Sequence, residues 1–443
     1  MFKKIMWLAL AFLALASVPA LAADNVPFTQ LMQNPLFANA TPEIRLQMLN
    51  QKMAADELDV SSDLTVRLFW DVIVDEPDPL VRLQRFDTLE STYDEFWASS
   101  DTVAYLLMEY LAASEYAASK DYLAMMKMVR DLEEAGTVSS GDLSWLMDGF
   151  LALHLVTNAE YQAMSLSEKQ LYLKTVGEQG FWTANTAMDF ALGLASETLS
   201  LTPPEEQQGM LATMEPDLVG FVYSALSDGY GDLTDNVAMQ DPDVQAAVTA
   251  EEKLAVINAK IDAEEMSSSD LGHNVCSRLL WDVIAPIHDP VARLAKYKEL
   301  REVYRDLPIT TEIEYTLALD VIAAEPVAAS SDVLGIMIRI QEMEDEDAIS
   351  WHAVAPLHYG MMAMLMATSQ EYQAMADLDK LAYLVNFDPQ NWASSLTSSE
   401  YSEQLACEML SGAAEADRPA LLEQVLATAD FFTKSVVEGG YVE

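Results

Sequence analysis

The sequence repeats itself once, in order, over most of its 443 residues. Met32-Gln33-Asn34-Pro35 returns as Met239-Gln240-Asp241-Pro242, and Ser62-Asp63-Leu64 as Ser269-Asp270-Leu271. Arg67-Leu68-Phe69-Trp70-Asp71-Val72-Ile73 returns as Arg278-Leu279-Leu280-Trp281-Asp282-Val283-Ile284. Glu160-Tyr161-Gln162-Ala163-Met164 is matched by Glu371-Tyr372-Gln373-Ala374-Met375, and Gly229-Tyr230 by Gly440-Tyr441. The offset is 207 residues at first (Met32 to Met239). It becomes 211 (Arg67 to Arg278) after a short insertion around Gly272–Ser277. Two homologous halves are therefore expected, 28–236 and 237–443, since a fixed period is the mark of a repeat architecture. The join falls in the turn-rich stretch Asp228–Pro242.

Within each half the pattern is helical. Ala, Leu, Met and Glu are abundant, alternating Val/Ile/Thr runs are rare, and Asn-Gly turns are absent, which argues against hairpins. Thr202-Pro203-Pro204-Glu205, Thr249-x-x-Glu252 and Thr397-x-x-Glu400 have the spacing of capping boxes. The expected fold is all-α, the two halves forming an α-solenoid or superhelical array of antiparallel helices, HEAT- or TPR-like.

Charge and address narrow the function. The chain carries 71 acids against 24 bases, a net charge of -47, spread through both halves. That excludes a general nucleic-acid binder, which needs a basic surface. Residues 1–22 read as a secretory signal: Lys3 and Lys4, an apolar run from Ile5 to Val18, then Ala20-Leu21-Ala22 as the cleavage pattern. The mature chain is expected in the periplasm or outside the cell, and not embedded in a membrane.

Few residues advertise chemistry. Arg67 and Asp71 lie four apart on an apolar helix, within pairing reach. Asp78, Pro79 and Arg82 follow, and Arg278, Asp282, Asp289, Pro290 and Arg293 repeat the arrangement. Two acids and two bases per copy point to a structural ion-pair network locking two helices. A carboxylate site beside Trp70 or Trp281 is the alternative. Trp70, Trp281, Trp145 and Trp351 are the aromatic candidates for a binding face. The five histidines form no HExxH motif, no CxxC pair occurs, and Asp228-x-Tyr230-x-Asp232 lacks the glycine and closing Glu of a calcium loop. No catalytic residue, metal or cofactor is expected. Cys276 and Cys407, the only cysteines, are expected to form a disulfide in an oxidising compartment.

These features point to an exported acidic scaffold. Its expected partner is a protein or peptide with a basic patch, held in a groove between or along the halves. A helical polysaccharide lyase or hydrolase and a low-affinity binder of divalent cations are the alternatives.

Overall fold

The computed structural model describes residues 28–442 apart from 56, 59, 94, 97–99, 179–184, 306, 308–310 and 388–394. The expected signal segment and Trp97, Trp182 and Trp392 lie outside the described residues, as does the side chain of Trp145. Every regular element among the described residues is helical and none is a strand. No described helix is long and apolar enough to cross a membrane.

Local chemistry explains the helix starts. Ser61 accepts from the Leu64 N–H (3.2 Å) to open Ser62–Ile73. Asp78 accepts from Leu80 and Val81 at the head of Pro79–Thr92. Pro79 takes the first helical position, where its missing N–H costs nothing. Thr249 and Glu252 form a complete capping box at Ala250–Asp262. The other two boxes differ from expectation. Thr202 precedes two prolines in series, and a residue before proline is pushed away from helical dihedrals. The next helix accordingly begins at Gln207, and the Thr202 hydroxyl donates backwards to the Thr198 carbonyl. Thr397 lies inside Ser395–Gly412 rather than before it.

The helix borders recur with the period of the sequence. Ser62–Ile73 and His273–Ile284 differ by 211 residues (Ser62 to His273). The same shift relates Pro79–Thr92 to Pro290–Val303, Ser100–Ala112 to Thr311–Ala323, and Ser140–Thr157 to Trp351–Thr368. Even the left-handed backbone positions recur: Lys120 with Ser331, and Gly136 with Asp347. The short helix Ser268–Leu271 stands apart from His273–Ile284. Asn274, not Asp270, therefore occupies the place of Asp63.

The chain forms two compact units, and their borders cross the sequence halves. Among the described residues, the first comprises those within 1–119, 131–142 and 366–443; the second comprises those within 120–130 and 143–365. In the first unit, Ser62–Ile73 packs on Ser395–Gly412 and on the last turn, Glu438–Val442, while Ser100–Ala112 also lies on Ser395–Gly412. The core there includes Leu64, Leu68, Trp70, Ile73, Phe86, Tyr401 and Leu410. In the second unit, Asn185–Ser200 packs on Thr311–Ala323, Gly220–Tyr230 and His273–Ile284. Its core includes Val222, Leu226, Leu280, Trp281, Ile284, Tyr297 and Leu317. Helices from opposite ends of the chain thus close the first unit, whereas a HEAT- or TPR-like array confines contacts to sequence neighbours.

The expected disulfide is not formed. Cys276 and Cys407 are both free thiols, each fully buried, one in each unit. Both sit on helix faces turned into their own cores, so neither thiol is presented for pairing. Burial pushes the Cys276 thiol up to about 12, and Cys407 also above the ordinary thiol range, so both stay protonated.

Candidate functional site

The sequence-expected charges build two arginine-centred clusters in each unit. The first cluster closes the chain end onto Ser62–Ile73. Arg67 Nε lies 3.6 Å from Asp71, its Nη1 donates to the Gly440 carbonyl (2.7 Å), and its guanidinium sits 4.6 Å above the Tyr441 ring. The Tyr441 hydroxyl donates to the Cys407 carbonyl (3.0 Å) and lies 2.6 Å from Ser411 Oγ. Ser411 in turn donates to Asp71 (2.8 Å). The Gly440 backbone lies close to Asp63 and Arg67, where a Cβ would sit 3.1 Å from the Asp63 carbonyl.

The second unit carries the same device. Arg278 Nε lies 3.6 Å from Asp282, and Arg278 donates to the Gly229 carbonyl and to Gln207 (both 3.1 Å). Its guanidinium covers the Tyr230 ring at 5.2 Å. Tyr230 bonds Ser200 (2.7 Å) and donates to the Ser196 carbonyl (3.0 Å). The first pair is the drier: the side chains of Arg67 and Asp71 are 6% and 7% exposed, against 18% and 22% for Arg278 and Asp282. Burial accordingly holds Arg67 below the ordinary guanidinium range.

The second cluster leaves Asp78 and Asp289 out of the expected ion-pair network. Asp78 and Asp289 serve only as caps, with Asp289 accepting from Ala292. Their oxygens are committed to the helix N–H groups. Arg82 folds back so that Nε donates to the Glu76 carbonyl (3.0 Å) and Nη1 reaches both Glu109 (2.9 Å) and Glu408. The Tyr105 hydroxyl donates to Glu408 (2.7 Å). Arg293 repeats this with the Ile287 carbonyl (2.8 Å), Asp320 (3.3 Å) and Glu197 (2.9 Å). Burial, with Glu408 beside it, pushes Glu109 up to about 8 against the pull of Arg82. Burial and Glu197 raise Asp320 to about 6.

The partners Glu109, Glu408, Glu197 and Asp320 were not singled out from the sequence. The signal that could have found them is the period itself, since Glu408 matches Glu197 and Glu109 matches Asp320 at 211 residues. A further pair of positions keeps carboxylates without a nearby cation. Glu400 is pushed to about 8 by burial and Asp101, and Asp189 to about 7 by burial and Glu312.

The tryptophans divide. Trp70 and Trp281 are completely enclosed in their units and present no face to a partner. Trp70 Nε1 donates to Gln404 (2.9 Å), and its ring meets Tyr105 edge-on at 5.7 Å. Trp351 is 48% exposed, edge-on to His352 at 5.3 Å. Among the described residues, no group of three or more His, Cys, Asp or Glu is arranged to hold a metal ion. Asp228 instead accepts from Asn274, and Asp232 from the Thr234 N–H.

Chemically, each arginine cluster is a clamp. Arg82 and Arg293 each face two carboxylates, Arg67 and Arg278 one, and all four donate to a backbone carbonyl, so the arrangement is retained in both units. No family model matches the chain, and no curated protein or solved structure matches it either.

Proposed function

We propose that the chain is an exported acidic scaffold of two homologous helical halves that binds a protein or peptide bearing a basic patch. The observation that carries this reading is the fate of the cations. Arg67, Arg82, Arg278 and Arg293 are consumed inside the clamps. Arg45 and Arg418 are turned onto backbone carbonyls, and Lys120 and Lys298 likewise. With these eight turned inward, 16 of the 24 bases remain to face the 71 acids, so the surface stays strongly acidic. A surface with that imbalance attracts cationic partners and repels nucleic acid and acidic polysaccharides. The basic, apolar start of the sequence supports export.

The test is titration with a fluorescent oligolysine peptide, beside a neutral peptide of equal length, at low and high salt. The native chain should bind the basic peptide at least several-fold more weakly at high salt, because exposed charge pairs are screened. It should bind more tightly than the urea-unfolded chain, whose charge is the same but unorganised. Binding that ignores salt, or that is equal for native and unfolded chains, refutes the reading.

A further inference from the structure

We propose that each half carries a docking surface for a second copy of itself, and that the chain is two such copies fused through residues 231–236. The inference rests on the two-half reading above and extends it. In each unit the contacts that close the core join one half to the other. In the first unit, Arg67 of the first half holds the Gly440 carbonyl of the second, Trp70 holds Gln404, and Arg82 holds Glu408. In the second unit, Arg278 of the second half holds the Gly229 carbonyl of the first, and Arg293 holds Glu197. The front of each half is therefore completed by the back of the other, and neither half contains a finished unit.

Inside the second unit, matching residues also meet each other. A Cβ on Gly149 would drive into the Leu357 carbonyl, and a Cβ on Gly360 into the Leu146 carbonyl. Residues 146 and 357, and 149 and 360, are each 211 apart. Residue i thus meets j as j's counterpart meets i's, the reciprocity that defines the interface of a two-fold homodimer. Lys120 Nζ donating to the carbonyl of its own counterpart, Ser331 (2.7 Å), is a second such contact. The two joins fall at matching places in the repeat, since Tyr230 corresponds to Tyr441 and Met239 to Met32. Gly220–Tyr230 runs through the turn 231–236 into Val237–Gln240, while in the first unit Phe28–Leu31 packs directly on Glu438–Val442. One join is covalent; at the other the two segments meet by packing.

Two arms on the full chain test this. A protease site placed at Thr234–Asp235, both exposed, is cut after folding. The fragments should elute as one species of the uncut mass, keep their helical signal, part only in denaturant, and re-form a one-to-one complex on dilution. Fragments that separate in native buffer, each still helical, would overturn the exchange and leave the duplication standing. In the second arm the chain is permuted to start at Val237 and end at Tyr230, with a copy of residues 231–236 linking Tyr441 to Phe28. It should fold with the helical signal and melting behaviour of the parent. If the cut fragments stay together but the permuted chain does not fold, the joins are not equivalent. A second copy as the partner then fails, although the repeat in the sequence stands.

Discussion

Replacing Arg82 with methionine removes the cation but keeps much of the stem that packs in the core. Two carboxylates then face each other, 23% and 20% exposed, with only Tyr105 still donating to Glu408. Breaking a buried pair by removing one partner costs about 3–5 kcal/mol. The residual exposure of both acids places Arg82→Met near 3 kcal/mol at pH 8. At pH 5 the loss should be slightly smaller, by at most about 0.4 kcal/mol, because Glu109, raised to about 8 in the folded protein, is neutral at pH 5 and only half ionised at pH 8. The direction follows from linkage. A carboxyl raised in the folded state stabilises below its unfolded pKa, and that contribution is lost as pH rises through the folded pKa. Removing Arg82, which holds Glu109 down, extends this window upward, so the variant's stability falls more steeply with pH than the parent's. Urea unfolding at pH 5 and pH 8, followed by circular dichroism, measures both losses; thermally, 3 kcal/mol corresponds to roughly 10 °C for a unit of this size. A loss that is clearly larger at pH 5 than at pH 8 would refute the reasoning. So would a loss below 1 kcal/mol at pH 8, since the clamp would then be a solvated pair.

Asp71→Asn should cost about 3 kcal/mol, because it leaves the nearly dry Arg67 facing a neutral amide, and Asp282→Asn distinctly less, since that pair is three times as exposed; chemical unfolding of both ranks them, and equal losses would sever the link to burial. Neither thiol should react with a labelling reagent in the native protein, and both should react in denaturant without reductant; a denatured chain showing none contains the bridge. Asp347→Gly should stabilise by about 0.5 kcal/mol, because Asp347 sits at a φ of 55° where its counterpart is Gly136, and the relief of left-handed strain exceeds glycine's entropy cost; a lower melting temperature would contradict it.

Much of the fold was legible because its determinants are local. The caps at Asp78 and Asp289, the i,i+4 pairs Arg67–Asp71 and Arg278–Asp282, and the all-helical pattern all follow from residues within a turn or two of each other. What escaped depends on distant packing. The true partners of Arg82 include Glu408, 326 residues away, and no local rule chooses it over Asp78, four residues off. The disulfide failed for a related reason: an oxidising compartment permits a bridge, but only geometry makes one, and the two thiols face separate cores. Trp70 and Trp281 were candidates for a binding face because aromatic residues often line one. Their neighbours Leu68, Phe69 and Ile73, or Leu280 and Ile284, are as buried as they are. That signature belongs to a helix with no solvent side at that position.

Where the two units differ, one position shows what the packing tolerates. Gln404, the acceptor for Trp70, is replaced at its counterpart by Gly193, and Tyr105 by Thr316. A Cβ on Gly193 would overlap the Thr316 hydroxyl, so Asn185–Ser200 and Thr311–Ala323 approach more closely than any side chain at 193 would allow. That hydroxyl is fixed by its bond to the Glu312 carbonyl (2.9 Å) and cannot swing aside without loss. The second unit thus has tighter backbone contact in place of the indole hydrogen bond, and among the described residues Trp281 Nε1 has no acceptor. Gly193→Ala should therefore destabilise by about 1–3 kcal/mol, the cost of overpacking, even though alanine is the better helix former. Adding Thr316→Ala should recover most of that loss by clearing the space. Were Gly193→Ala to raise stability, as helix propensity alone would have it, the close approach would not be what holds these helices, and the glycine would owe its place to something other than packing.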